Sequence, residues 1–166
     1  MPVLQTGLAK SAAADYTIDN SLRFEDGDSA YLSWTPSSAG NRKTWTWSGW
    51  VKRGNLTEQK LFSAGTGSLR SALQFSSNSL RMYLRSTGDV VSTALFRDSS
   101  AWYHVVVAVD TTESTASNRV KLFVNGAQIT DLSSSSYPNQ NDEFDINNNV
   151  QHGIGRYEYG TQQYFD

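Results

Sequence analysis

From Ser21 onward the chain runs in short stretches of alternating apolar and polar residues. They recur roughly every 8–12 positions and are separated by Gly, Asn, Asp and Ser clusters, the rhythm of successive antiparallel strands and turns. The stretches are SLRFE (21–25), AYLSW (30–34), TWTWSGWVKR (44–53), QKLFSAG (59–65), SALQF (71–75), LRMYLRS (80–86), VVSTALF (90–96), YHVVVAVD (103–110), RVKLFVNG (119–126) and AQITDL (127–132). A weaker strand, VQHGIGR (150–156), follows a polar stretch over 133–149. No stretch has a helical period, and one short turn of helix is the most the pattern allows. The pattern predicts an all-β fold, an antiparallel two-sheet β-sandwich over 21–166. Residues 1–20, small and weakly patterned, read as an extended N-terminal arm or a disordered leader.

Two hairpins stand out. In VKLFVNGAQI the Asn125-Gly126 pair separates two alternating runs, and a type I′ turn needs φ > 0 at both positions. Val120, Leu122 and Val124 then point inward, with Lys121 and Phe123 on the other face. In LQFSSNSLRMYLR the loop around Ser76–Ser79 joins two strands. Leu73, Phe75, Leu80, Met82 and Leu84 face the core and Gln74, Arg81, Tyr83 and Arg85 face out. A one-residue slip would expose the whole apolar set, so the pattern specifies the register.

The same alternation divides three tryptophans in six residues. Trp45 and Trp47 share a face with Gly49 and Val51, the set expected between the sheets, while Trp50 lies with Thr44, Thr46, Ser48 and Lys52 on the opposite face. Gly49 provides either room for a bulky neighbour or a local bend. Trp47→Ala is expected to cost ~3–5 kcal/mol.

Composition narrows the function classes. The 166 residues suit one domain. A net charge of −2 gives no electrostatic case for nucleic acid or an anionic membrane surface. No apolar run approaches the ~20 residues needed for membrane insertion as a helix. The absence of cysteine excludes disulfides and thiolate metal sites. The opening MPVLQTGLAKSAAADYT lacks the basic start and apolar core of a signal peptide, so the Asn55-Leu56-Thr57 sequon reads as chance.

Three features in order, Trp50-Val51-Lys52, then Trp102-Tyr103-His104-Val105-Val106-Val107, then Val120 through Gly126, resemble the concanavalin A-like (laminin-G-like) lectin/glucanase jelly roll. The resemblance covers residues 21–166. Within it, SLRFEDGDSAYLSW resembles a version of this domain found in structural proteins of marine tailed bacteriophages. One departure concerns the last residues, Tyr164-Phe165-Asp166, after which the family continues with a Gly and a final strand. The chain therefore either ends before its last strand or has that edge completed by another subunit or segment.

The resemblance admits glycoside hydrolases, whose retaining members need two carboxyls about 5–5.5 Å apart and carry them in an E-x-D-x-x-E strand. The nearest match here, Glu143-Phe144-Asp145-Ile146-Asn147-Asn148, has Asn148 where the general acid belongs, and an amide cannot deliver a proton. The expectation is no catalytic residue and no enzyme. His104 and His152 are isolated, and His104 is expected to be a hydrogen-bonded residue inside the sandwich. Calcium, held at a loop rim in relatives of this fold, would use Glu25-Asp26-Gly27-Asp28 or the Asp142, Glu143 and Asp145 set, though a tight turn and a solvated loop explain both. No other metal or cofactor is expected.

Carbohydrate binding combines aromatic stacking with polar side chains. Trp50, Gln74, Arg81, Tyr83 and Arg85 are the candidates, against the alternative of an ordinary wet face whose arginines cover aromatic surface. Tyr157 and Tyr159 are candidates for subunit contact. Two functions follow. One is a non-enzymatic virion protein (a fibre, tail-appendage or capsid-decoration module) assembled in the host cytoplasm without a signal. Its partners are other virion proteins, copies of itself and host-surface polysaccharide. The other is a soluble carbohydrate-binding module or catalytically dead glucanase relative outside a virion.

Overall fold

Both hairpin turns form with positive φ, at Asn125 (52°) and Gly126 (82°) and at Ser77 (50°) and Asn78 (70°). The second pair uses no glycine, leaning on Asn tolerance of the left-handed region. The computed structural model describes residues 21–66, 69–85, 87–156 and 164–166. The proposed arm at 1–20 and the tyrosines at 157 and 159 lie outside them.

The strands are β1 (Leu32–Trp34), β2 (Thr44–Val51), β3 (Gln59–Thr66), β4 (Leu69–Ser76), β5 (Ser79–Leu84), β6 (Gly88–Leu95), β7 (Tyr103–Asp110), β8 (Val120–Val124), β9 (Ala127–Gln128), β10 (Leu132–Ser136) and β11 (His152–Ile154). The one helical element among the described residues is a 3₁₀ turn at Ala116–Asn118. A seven-stranded sheet has the order β1-β11-β3-β4-β5-β6-β10, and a four-stranded sheet the order β2-β7-β8-β9. All pairings are antiparallel.

The inner faces meet in one core. Leu61, Leu73, Phe75, Leu80, Met82, Leu84 and Val90 of the larger sheet pack with Trp45, Val105, Val107, Val109, Val120 and Leu122 of the smaller. Trp47 is half-buried and packs against this core. Gly49 makes room for Trp47: a Cβ there would sit 2.8 Å from Cη2 of the Trp47 ring.

Two expected elements differ. SLRFE forms no strand, because Phe24 packs edge-on against Phe165 and over Gly155 instead of entering a ladder. The polar stretch after Leu132 contains β10, held to β6 by backbone bonding along the sheet edge.

Two polar tethers organise the ends of the sandwich. Arg53, just beyond β2, is 0% exposed. It donates to Gln59 Oε1 (3.0 Å), Asn78 Oδ1 (3.0 Å), Phe96 O (2.6 Å) and Thr57 O (2.9 Å). Its guanidinium lies 4.5 Å from the centre of the Phe75 ring, and burial pulls its pKa below the ordinary guanidinium value.

The second tether is the loop before β11. Its Phe144 and Ile146 enter the core, its Phe144 carbonyl accepts from Arg42 Nε (2.7 Å), and its Asn147 carbonyl accepts from Gly40 N–H (2.7 Å).

His152 anchors that loop. It is 1% exposed and stacks on Trp34 at 5.2 Å. Nε2 accepts from the Asn147 N–H (3.0 Å), so the ring is the neutral Nδ1–H form, donating to Val150 O (2.8 Å). Burial lowers its pKa, outweighing the Val150 bond and nearby Asp145. The unfolded chain, with an ordinary imidazole near ~6.5, then binds more protons than the folded one below that pH. Stability from His152 is therefore present above about pH 6.5 and lost as pH falls toward the folded value. Asp98 and Asp110, with pKa values lowered chiefly by bonds from the Ser100 and Thr112 hydroxyls, lose their contribution only below about pH 4. Urea midpoints should accordingly fall between pH 7.5 and 5, and His152→Gln should flatten that segment. An unchanged slope in the variant would refute the assignment.

Candidate functional site

The outer face of the seven-stranded sheet carries the polar rows. Lys60 lies opposite Gln74 and Gln74 opposite Arg81; Ala72 lies opposite Tyr83 and Tyr83 opposite Asp89. A bulge between Lys60 and Phe62 lets Leu61 and Phe62 both reach the core while Lys60 stays outside.

Arg81 and Tyr83 adjoin on this face. Arg81 is fixed by a fork to Asp89, Nε to Oδ1 at 2.7 Å and Nη2 to Oδ2 at 3.0 Å. That bonding raises its pKa. The Arg81 and Arg70 guanidinium carbons lie 5.3 and 5.7 Å from the centre of the Tyr83 ring, within cation–π range. The half-buried Tyr83 ring is thus flanked by two cations. Nothing in the sequence singles out Arg70 or Asp89, since their roles rest on cross-strand register and on the β5–β6 turn.

Gln74, expected on the open face, is 4% exposed. Its Oε1 accepts from Lys60 Nζ, and its Nε2 donates to Glu58 Oε1 (2.9 Å), which also pairs with Lys60 (3.1 Å). Both ends of the amide are occupied, so Gln74 braces the face and does not present itself to a ligand. Burial lowers the Lys60 pKa, opposed by Glu58.

Arg85, expected beside Arg81 and Tyr83, leaves the row. β5 ends at Leu84 and Arg85 has φ 51°, which directs its guanidinium to Asp145 with bonds of 2.9 and 2.5 Å. Asp145 is 3% exposed, and the pairing raises the Arg85 pKa.

Trp50 is on the opposite side of the sandwich, 54% exposed and stacked on His104 at 5.0 Å. His104 is correspondingly not inside the sandwich: it faces outward and bonds the Ser48 hydroxyl through Nε2 at 3.0 Å. Of the five carbohydrate candidates, only Arg81 and Tyr83 are brought together as open neighbours.

The acidic sets behave differently. Glu25 and Asp26 meet Asp166, with one oxygen of each within 4.8 Å of the others, while Asp28 is not part of the group. Asn55 Nδ2 donates to both Asp26 (3.3 Å) and Asp166 (3.1 Å). Three carboxylates supply part of the six to eight oxygens that Ca²⁺ takes, the rest coming from carbonyls and water. In the later set, Asp142 accepts from the Asn139 N–H, Glu143 pairs with Arg42 and Asp145 with Arg85, so these carboxylates do not converge.

Comparison with known proteins places this geometry among relatives. The family model of the concanavalin A-like lectin/glucanases superfamily matches residues 26–166. Among solved structures, the chain is similar to the native heptameric SAP-like pentraxin from Limulus polyphemus. That match has TM-score 0.55 and 12% identity, and covers 82% of this chain and 64% of that one. It is also similar to domains LG4-5 of the mouse laminin α1 chain, with TM-score 0.51, 13% identity, and 81% and 36% covered. The chain thus spans less than two thirds of either neighbour, and at these identities the likeness concerns the fold. No curated protein matches the sequence. No helix among the described residues is long and apolar enough to cross a membrane.

Proposed function

The chain belongs to the concanavalin A-like lectin/glucanase superfamily, and on that premise we propose that it is a non-enzymatic structural component of a virion that binds host-surface glycan. The observation that carries the binding part is the Arg81–Tyr83 pair on one wet sheet face. Tyr83 supplies an aromatic ring, flanked by Arg70 and Arg81, against which part of a sugar can rest. Arg81, held by Asp89 through Nε and Nη2, keeps Nη1 for hydroxyl oxygens.

A non-catalytic role is supported by the state of the carboxylates. On this face, Glu58 is tied to Lys60 and Gln74, and Asp89 to Arg81. Glu143 and Asp145 are engaged by Arg42 and Arg85, so each of these four carboxylates is tied to a cation or amide of the fold. The virion setting rests on the SLRFEDGDSAYLSW resemblance, with other virion proteins and copies of the chain as partners.

The binding part is tested on an array of bacterial surface polysaccharides. Tyr83→Ala should weaken the best-bound glycan about tenfold, roughly 1.4 kcal/mol, with the melting temperature unchanged. Equal binding by wild type and variant would remove Tyr83 from the site. Mass spectrometry of purified particles should find the polypeptide, and its absence would overturn the virion assignment.

A further inference from the structure

Lys60, Gln74 and Glu58 carry more chemistry than a brace needs. Lys60 of β3 and Gln74 of β4 are register partners on the outer face of the larger sheet. Both are closed off from water, at 5% and 4% exposed. Lys60 Nζ donates to Gln74 Oε1. The amine thus stands against the amide, whose carbon lies one bond of about 1.23 Å beyond that oxygen. A single oxygen of Glu58 serves both nitrogens: Oε1 accepts from Lys60 Nζ at 3.1 Å and from Gln74 Nε2 at 2.9 Å. We propose that these residues form an amide bond between the Lys60 and Gln74 side chains, joining β3 to β4 covalently, with Glu58 as the general acid–base.

Each requirement of that reaction is met in place. The nucleophile has to be a neutral amine. Burial lowers the Lys60 pKa, Arg70 and Arg81 add to the effect, and Glu58 opposes it. The base has to reach both the attacking and the departing nitrogen, and Glu58 Oε1 already bonds both. The reacting groups have to be held together, and the cross-strand register does so. Water has to be kept away, since it would compete for the amide carbon. Only Glu58, its side chain 39% exposed, reaches the rim, where the displaced nitrogen can escape.

In the step, the Nζ lone pair forms a bond to Gln74 Cδ and the Cδ–Nε2 bond breaks. Two protons leave the Lys60 ammonium and two arrive on Nε2, one at a time by way of Glu58. The nitrogen departs as ammonium, and Glu58 is a carboxylate before and after. No oxidant, reductant or co-reactant is needed.

An ordinary ion pair would not call for this setting. A lysine paired with a glutamate is satisfied at the surface, whereas an enclosed ammonium carries a desolvation cost. The chain also holds no cysteine, so a covalent link between its strands falls to groups of this kind.

The experiment weighs the intact wild-type chain after it has been held folded at body temperature for days. Electrospray mass spectrometry should find it lighter than its sequence by one ammonia, about 17 Da. Trypsin should then release residues 54–70 joined to residues 71–81, uncut after Lys60. Lys60→Met should keep its full mass, and Glu58→Gln should slow the loss about a hundredfold or more. Three outcomes would overturn the proposal: a wild-type mass that stays at the sequence value, an ammonia loss that maps elsewhere, as at Asn125-Gly126, or an undiminished rate in Glu58→Gln. The first two are read on the wild type, so they decide even where a variant folds poorly.

Discussion

Arg53→Ala should lower the free energy of unfolding by about 4 kcal/mol, among the largest effects available in this chain. The side chain is fully enclosed and serves four acceptors, on Gln59, Asn78, Phe96 and Thr57. Removing it leaves those oxygens without their donor and opens a void over Phe75. Arg53→Met refills the space yet donates nothing, so it should recover only part of the loss. Arg53→Lys keeps the charge but lacks the planar fork, and should still cost about 2 kcal/mol. Guanidinium chloride unfolding at constant m-value provides the measurement. A change below about 1 kcal/mol in Arg53→Ala would show that the tether is dispensable.

Trp47→Ala comes next, at about 3 kcal/mol, the low end for a deleted core indole because the ring is half-buried. Its ring packs near Phe62, with centroids 6.4 Å apart, and lies over the α-carbon of Gly49. A void there would border Phe62 and the core beneath it. Trp50→Ala, three residues on, should barely move the same midpoint. If Trp47→Ala and Trp50→Ala melt alike, the division of β2 into a buried and an open face is wrong.

That division was legible from alternation alone, as were the inward set Leu73, Phe75, Leu80, Met82 and Leu84 and the Asn125-Gly126 turn. These features depend on neighbours one or two residues away, or on a turn that needs one backbone shape. β10 escaped because an edge strand needs only backbone partners, and LSSSS carries no apolar alternation to announce it. SLRFE misled for the converse reason: its pattern is strand-like, but Phe24 finds Phe165, far away in sequence.

The site was less legible. Gln74 stands at an outward position, as alternation predicts, but is taken up by Lys60 and Glu58, and Arg85 leaves the row for Asp145, 60 residues away. Arg53 reads as an ordinary charged strand end in WVKR, and no local signal marks it as buried. Polar networks of this kind are properties of the assembled fold.

The position of β2 also bears on how the chain reaches its fold. Its described partner is β7, and the contacts between them join Ser48 to His104, 56 residues apart, and Thr44 to Asp110, 66 apart. Such pairings must wait for a long loop to close and are slow for that reason. Until then TWTWSGWV, uncharged, free of proline and rich in aromatic and β-branched residues, has the makings of a cross-β segment. Two unfinished chains that meet in this interval can zip together along it. The aromatic wall that secures the finished sandwich is thus a hazard while the chain is being built, and faster β2–β7 closure should leave less material lost to clumping.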